Sequence, residues 1–200
     1  KILFIISKKL VEYAKWLEKG PPCVASTQEG LATLMEIFQF SSFPGRLRKI
    51  SNRIVAILIV SEGANILEVL KYFMDQGQDE SEAFKNAQRV FRGGLLSGGA
   101  PFTKDLSYGH GLISVYNFIR SSVKNGRTEL IPFLFAGKLT LADVPVLYEL
   151  SLEGIVSRPV YVPKQFADLN GLASWMAISI FLNKLNLNKI SEEFKSQSNL

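Results

Sequence analysis

Ser26-Thr27-Gln28-Glu29-Gly30-Leu31-Ala32 is the stretch from which the rest of the chain can be read. Ser26 followed three residues on by Glu29 has the spacing of a capping box, in which hydroxyl and carboxylate each accept the other residue's backbone N–H. Leu31, Leu34, Met35 and Phe38 then recur at helical spacing, so the stretch predicts a helix starting at Ser26 with one buried stripe. Upstream, Ile6, Leu10, Val11, Ala14 and Leu17 predict an amphipathic helix that stops at Gly20, and Pro21-Pro22 forbids its continuation. Downstream, Phe43-Pro44-Gly45 predicts the end of the Ser26 helix or a turn.

The same period continues. Ile50, Ile54, Ile57, Leu58, Leu67, Leu70 and Phe73 predict one long helix over 47–74 or two hinged near Glu62-Gly63. Its middle, Ile54 to Val60, is apolar nearly all round and predicts the buried central element. Ser81 to Phe91 predicts a short helix ending at Gly93-Gly94. After the glycine-rich link, another helix is predicted from Thr103, as N-cap, or Lys104 through Ile119. Short helices are predicted over 128–135 and 141–150, then a short β segment over 155–162 interrupted by Pro159. An apolar helix over 172–187 and a Ser/Asn/Gln-rich tail complete the pattern. The expectation is a mainly α protein with a single helical domain or part-domain over 1–190 and a disordered tail over 191–200.

Two hundred residues suffice for one sizeable core, and 47% hydrophobic with 20% charged residues is too apolar for a disordered chain. No apolar run approaches the roughly 20 residues needed to span a bilayer, so no membrane segment is expected. The single cysteine, Cys23, excludes an internal disulfide and points to a reducing compartment, with the cytoplasm as the expected location. The net charge of +5 is spread along the chain without a nucleic-acid-binding motif, and no nucleic-acid partner is expected. Its densest cluster, Arg46, Arg48, Lys49 and Arg53, reads as a solvated basic face.

The string QEGLA centred on Glu29 resembles the signature of a zinc metallopeptidase family, known in bacteria as flavohaemoglobin-expression-modulating QEGLA-motif proteins and in animals as microtubule-associated tyrosine carboxypeptidases. Further strings similar to the family's follow in order: Arg89-Val90-Phe91-Arg92-Gly93-Gly94, Phe102-Thr103-Lys104-Asp105-Leu106-Ser107-Tyr108, Phe135-Ala136-Gly137-Lys138 and Arg158-Pro159. Together they span most of the chain from Thr27 to Pro163.

The resemblance implies a multi-helix, zincin-like metallopeptidase half-domain. In the family an HExxxH helix supplies two histidine ligands and a glutamate base, and the QEGLA helix supplies the third ligand. That role falls here on Glu29, with zinc as the cofactor. The chain departs from the pattern: it has no HExxxH, and its one histidine, His110, lies between Gly109 and Gly111. The chain is therefore expected to be either the carboxy-terminal half of a larger enzyme, inactive as this fragment alone and completed by an amino-terminal half, or a degenerate relative that has lost the metal.

A carboxypeptidase must hold the substrate's terminal carboxylate and stabilise an oxyanion, which suits arginine, lysine and tyrosine. Lys104 and Tyr108, four apart on a predicted helix, are the candidate catalytic pair, and Arg89 and Arg92 the candidate substrate-binding pair. Glu36, seven residues from Glu29 on the same helical face, would orient a ligand. The substrate would be the C-terminus of a peptide or protein, and truncation would expose apolar surface able to pair copies of the chain.

The bland readings are that Arg89 and Arg92 complement a helix C-terminus and that Lys104-Asp105 is a solvated first turn. Cys23 and His110 could form a thiol dyad only if the fold brought them together. Gly93 to Gly99 lacks the spacing of a phosphate loop and reads as a helix stop and flexible link lining a cleft. The alternative function is a noncatalytic helical binding domain in which Glu29 only caps its helix.

Overall fold

The computed structural model describes residues 23–39, 41, 44–184, 186, 188 and 191–192. The helix expected over 1–19 and most of the expected tail lie outside the described residues. Among the described residues the structure is helical, with no strand.

Helix α1 spans Val24–Phe38 and α2 spans Pro44–Ser61. Pro44 therefore opens the second helix rather than ending the first, a position where its missing N–H is no loss. After a break over 62–65, α3 spans Ile66–Asp75, with Asn65 and Glu68 forming a reciprocal capping box. The two-helix reading of 47–74 is thus the correct one. Helix α4 spans Glu80–Val90, capped by Asp79, whose side chain accepts from the Glu82 N–H. A 3-10 turn, Thr103–Asp105, leads into α5, Leu106–Lys124. Thr103 makes no side-chain cap, because it stands inside this turn and not before it.

A second 3-10 segment, Thr128–Phe135, precedes α6, Asp143–Leu152. A four-residue turn, α7, Lys164–Ala167, is followed by α8, Leu169–Leu182. The short β segment expected over 155–162 does not form. The amides of Ile155 and Val156 turn back onto the Leu150 carbonyl, 3.0 and 3.3 Å away, closing the end of α6.

Two apolar clusters carry the fold. In one, Val69 and Phe73 of α3 and Ala83, Ala87 and Val90 of α4 pack on Ala56, Ile57 and Val60 of α2. In the other, Leu34 of α1 and Val115 and Ile119 of α5 meet Ile131, Phe133, Leu134, Val144, Phe166 and Met176. Helix α5 packs against both α1 and α2 and so joins the two clusters. The run Ile54 to Val60 is not buried all round: Val55 is 38% and Leu58 53% exposed.

The seam between α1 and α5 is made by two glycines. A Cβ on Gly30 would overlap the Gly111 carbonyl group, and one on Gly111 would overlap the Ser26 carbonyl oxygen. Only hydrogen at both positions allows this approach.

Candidate functional site

Glu29 projects from α1 beside this seam. Its helix starts at Val24, with Cys23 in a left-handed conformation (φ 68°) and no side-chain cap. The expected Ser26/Glu29 capping box is therefore absent. Ser26 already lies in the first helical turn, and its Oγ sits 2.9 Å from Nδ1 of His110 on α5. That bond occupies the hydroxyl in a contact between helices.

The Glu29 side chain is 27% exposed, and Oε1 lies 4.0 Å from Nζ of Lys104. Among the described residues no hydrogen-bond donor reaches this carboxylate, and Lys104 is its one ion-pair partner. The fold thus brings together Glu29 and Lys104, residues far apart in sequence, by packing α5, which the Thr103–Asp105 turn leads into, against α1.

Asp105 anchors that turn. Its carboxylate is buried and accepts a bidentate clamp from Arg89 on α4, Nε to Oδ2 at 2.6 Å and Nη2 to Oδ1 at 2.7 Å. A fork of this kind fixes orientation as well as charge. Arg53 of α2 adds a second cation, Nη1 to Oδ2 at 3.8 Å. Arg53 also donates from Nε and Nη2 to Oδ1 of Asn86, at 3.0 and 2.8 Å, and Asn86 Nδ2 donates to Gln78 Oε1 at 2.8 Å.

The network corrects two expectations. Asp105 is not part of a solvated turn, and Arg53 is not part of a solvated basic face. Burial is the main influence on the Arg53 guanidinium, pulling its pKa down, with Asp105 opposing. Hydrogen bonding to Asp105 raises that of Arg89. Both remain charged at any physiological pH.

Tyr108, half-buried in the first turn of α5, lies within electrostatic reach of Arg46, Arg53 and Arg89. Glu36 is held by Arg46, Nε to Oε2 at 2.9 Å and Nη2 to Oε1 at 3.1 Å. The Arg46 hydrogen bonds hold its carboxyl below the usual glutamate range. Lys49 pairs with Glu82 at 2.7 Å. Arg92 stands apart, its guanidinium over the Phe102 ring at 5.5 Å, on the wall of a cleft that Arg89 also lines.

Asp105, Arg53, Asn86 and the Ser26–His110 contact were not legible as site residues. Their partners lie in different helices, and side-chain pairs across helices leave no period in a sequence.

A catalytic zinc site takes three protein ligands and keeps one position open. Among the described residues no three His, Cys, Asp or Glu side chains come together. Glu29 offers one suitable carboxylate, so these residues do not by themselves make up such a site. No helix among them is long and apolar enough to cross a membrane.

The described residues form a helical fold in which α5 packs against α1 and α2, and α2 in turn against α4. The chain belongs to the microtubule-associated tyrosine carboxypeptidase family, whose model matches residues 10–184. No match was found among curated proteins or among solved structures.

Proposed function

We propose that this chain is the part of a zinc-dependent carboxypeptidase that supplies Glu29 as one metal ligand, with the remaining ligands outside the described residues. The observation that carries the reading is the state of Glu29. It is a half-buried carboxylate, free of hydrogen-bond donors among the described residues, and held beside a lysine at a crossing that admits no larger residue than glycine. Bound zinc would polarise the scissile carbonyl and activate water.

The chain's own residues would do the rest. Lys104 and Tyr108 would meet negative charge on the substrate, either its terminal carboxylate or the oxyanion formed at the carbonyl. Asp105, clamped by Arg89, would keep the segment carrying both of them in place. Glu36, locked to Arg46, would fix the far end of the α1 face that bears Glu29.

The test uses the longest protein that contains this chain. Zinc content and release of C-terminal residues from peptides are measured for the wild type, Glu29→Gln, Lys104→Met and Tyr108→Phe. Glu29→Gln should lose zinc and activity together. Lys104→Met and Tyr108→Phe should retain zinc and lose about 10²-fold or more in kcat, the usual effect of removing an oxyanion donor. Unchanged zinc in Glu29→Gln would sink the ligand assignment, and a zinc-free, inactive wild type would leave the noncatalytic binding domain as the reading.

A further inference from the structure

The cleft that holds Arg92 has a chemistry of its own. It is a half-open cleft of about 410 Å³ between α3, α4 and the glycine-rich link, lined by Ile66, Lys85, Gln88, Arg89, Phe91, Arg92 and Leu96. That volume is within the range of small-molecule sites. Three of its residues are cationic and none is acidic. Arg89 is committed to Asp105, but Lys85 and Arg92 have no acidic partner among the described residues. Arg92 is instead poised over the Phe102 ring.

The walls are fixed before any ligand arrives. The Ile66 N–H donates to the Leu96 carbonyl at 3.0 Å, tying the link to the start of α3. The Gly99 N–H donates to Val60 at 2.8 Å and the Phe102 N–H to Val90 at 2.7 Å. Gly98, at φ +100°, sits so close to the Gly63 carbonyl that a Cβ would overlap it. The link that reads as flexible in the sequence is thus pinned at both ends, and it puts Leu96 on the wall of the same cleft as the cations.

We infer that this cleft is a binding site for a small organic phosphate: a dianionic head between Lys85 and Arg92, and an apolar body against Ile66, Phe91 and Leu96. Two unpaired cations match a phosphate monoester, which carries about −1.5 to −2 charge at pH 7, better than a single carboxylate. The apolar wall selects an ester over the free ion. The site is independent of Glu29.

The probes are phenyl phosphate, inorganic phosphate and benzoate, titrated into the full chain by calorimetry or by chemical shift. Phenyl phosphate should bind most tightly, and more weakly as added salt screens the cations. Lys85→Gln and Arg92→Gln should each weaken it roughly tenfold, the effect of removing one charge-assisted hydrogen bond. Leu96→Ser, on the exposed wall, should narrow the gap between phenyl phosphate and inorganic phosphate. Glu29→Gln should change nothing. No binding of phenyl phosphate overturns the inference, as does binding that Lys85→Gln and Arg92→Gln leave intact or benzoate that binds equally well.

Discussion

Gly30 and Gly111 touch backbone to backbone, with the place of a Gly30 Cβ only 2.7 Å from the Gly111 Cα. This single approach sets how close α1 lies to α5, and hence how close Glu29 comes to Lys104. Gly30→Ala and Gly111→Ala force the two helices apart. Each should cost about 1–3 kcal/mol or more, as overpacking of a tight seam does. That corresponds to roughly 2–4 °C of melting temperature per kcal/mol in a chain of this size. Gly45→Ala is the control, since nothing lies within 4 Å of its would-be Cβ. Thermal unfolding of the three variants should separate the seam glycines from Gly45 clearly.

Asp105 should prove the most costly polar residue to truncate. Asp105→Ala leaves Arg89 and Arg53 facing each other without an anion. Removing one partner of a buried ion pair costs about 3–5 kcal/mol, and the two arginines, 30% and 26% exposed, recover part of this from water. A loss of about 2–3 kcal/mol in denaturant unfolding is expected, and a smaller one for Asp105→Asn, which keeps an acceptor. A change below about 0.5 kcal/mol would mean that the clamp is energetically idle.

The sequence made parts of this architecture plain for local reasons. The break between α2 and α3 is written in Gly63, which adopts φ 110°, and in Asn65, which caps the next helix. The stripe from Leu31 to Phe38 marks α1 correctly, but not its start. The residue before the helix is Cys23, a poor candidate by type for the left-handed conformation it adopts, whereas Ser26 has the side chain of a cap and lies inside the helix. The polar site was less legible. Arg89 and Asp105 are 16 residues apart across a glycine-rich link whose path depends on close packing against Gly63. Glu29 and Lys104 could be named one by one, but their meeting is a property of the α1–α5 seam.

Acid should weaken the tie between α1 and α2. Glu36 has a lower pKa folded than unfolded because Arg46 hydrogen-bonds its carboxylate. The resulting stabilisation is complete above the unfolded value of about 4.3 and disappears as the pH falls through the folded value. Both side chains are more than a third exposed, so the pair contributes only some tenths of a kcal/mol. Glu36→Gln should therefore be slightly less stable than the wild type at pH 7, and the gap should close as the pH falls through the folded value. A gap that does not narrow with acid would assign Glu36 a role beyond its charge.

Glu29 should matter little to folding. It caps nothing, since Ser26 lies within the helix and Glu29 is beyond the first turn. Its one ion pair among the described residues is long, at 4.0 Å, and joins a lysine side chain that is 54% exposed. Contacts of this kind contribute about 0–1 kcal/mol. Glu29→Gln, nearly the same shape, should leave the unfolding free energy of the metal-free chain within about 0.5 kcal/mol of the wild type. A true capping box would lose more, about 0.5–2 kcal/mol, on removal of its cap. Stability measured by denaturant titration after chelation thus separates the two roles open to this residue. A fall of about 2 kcal/mol would return Glu29 to the structure, and no fall would leave a half-buried carboxylate whose use lies outside folding.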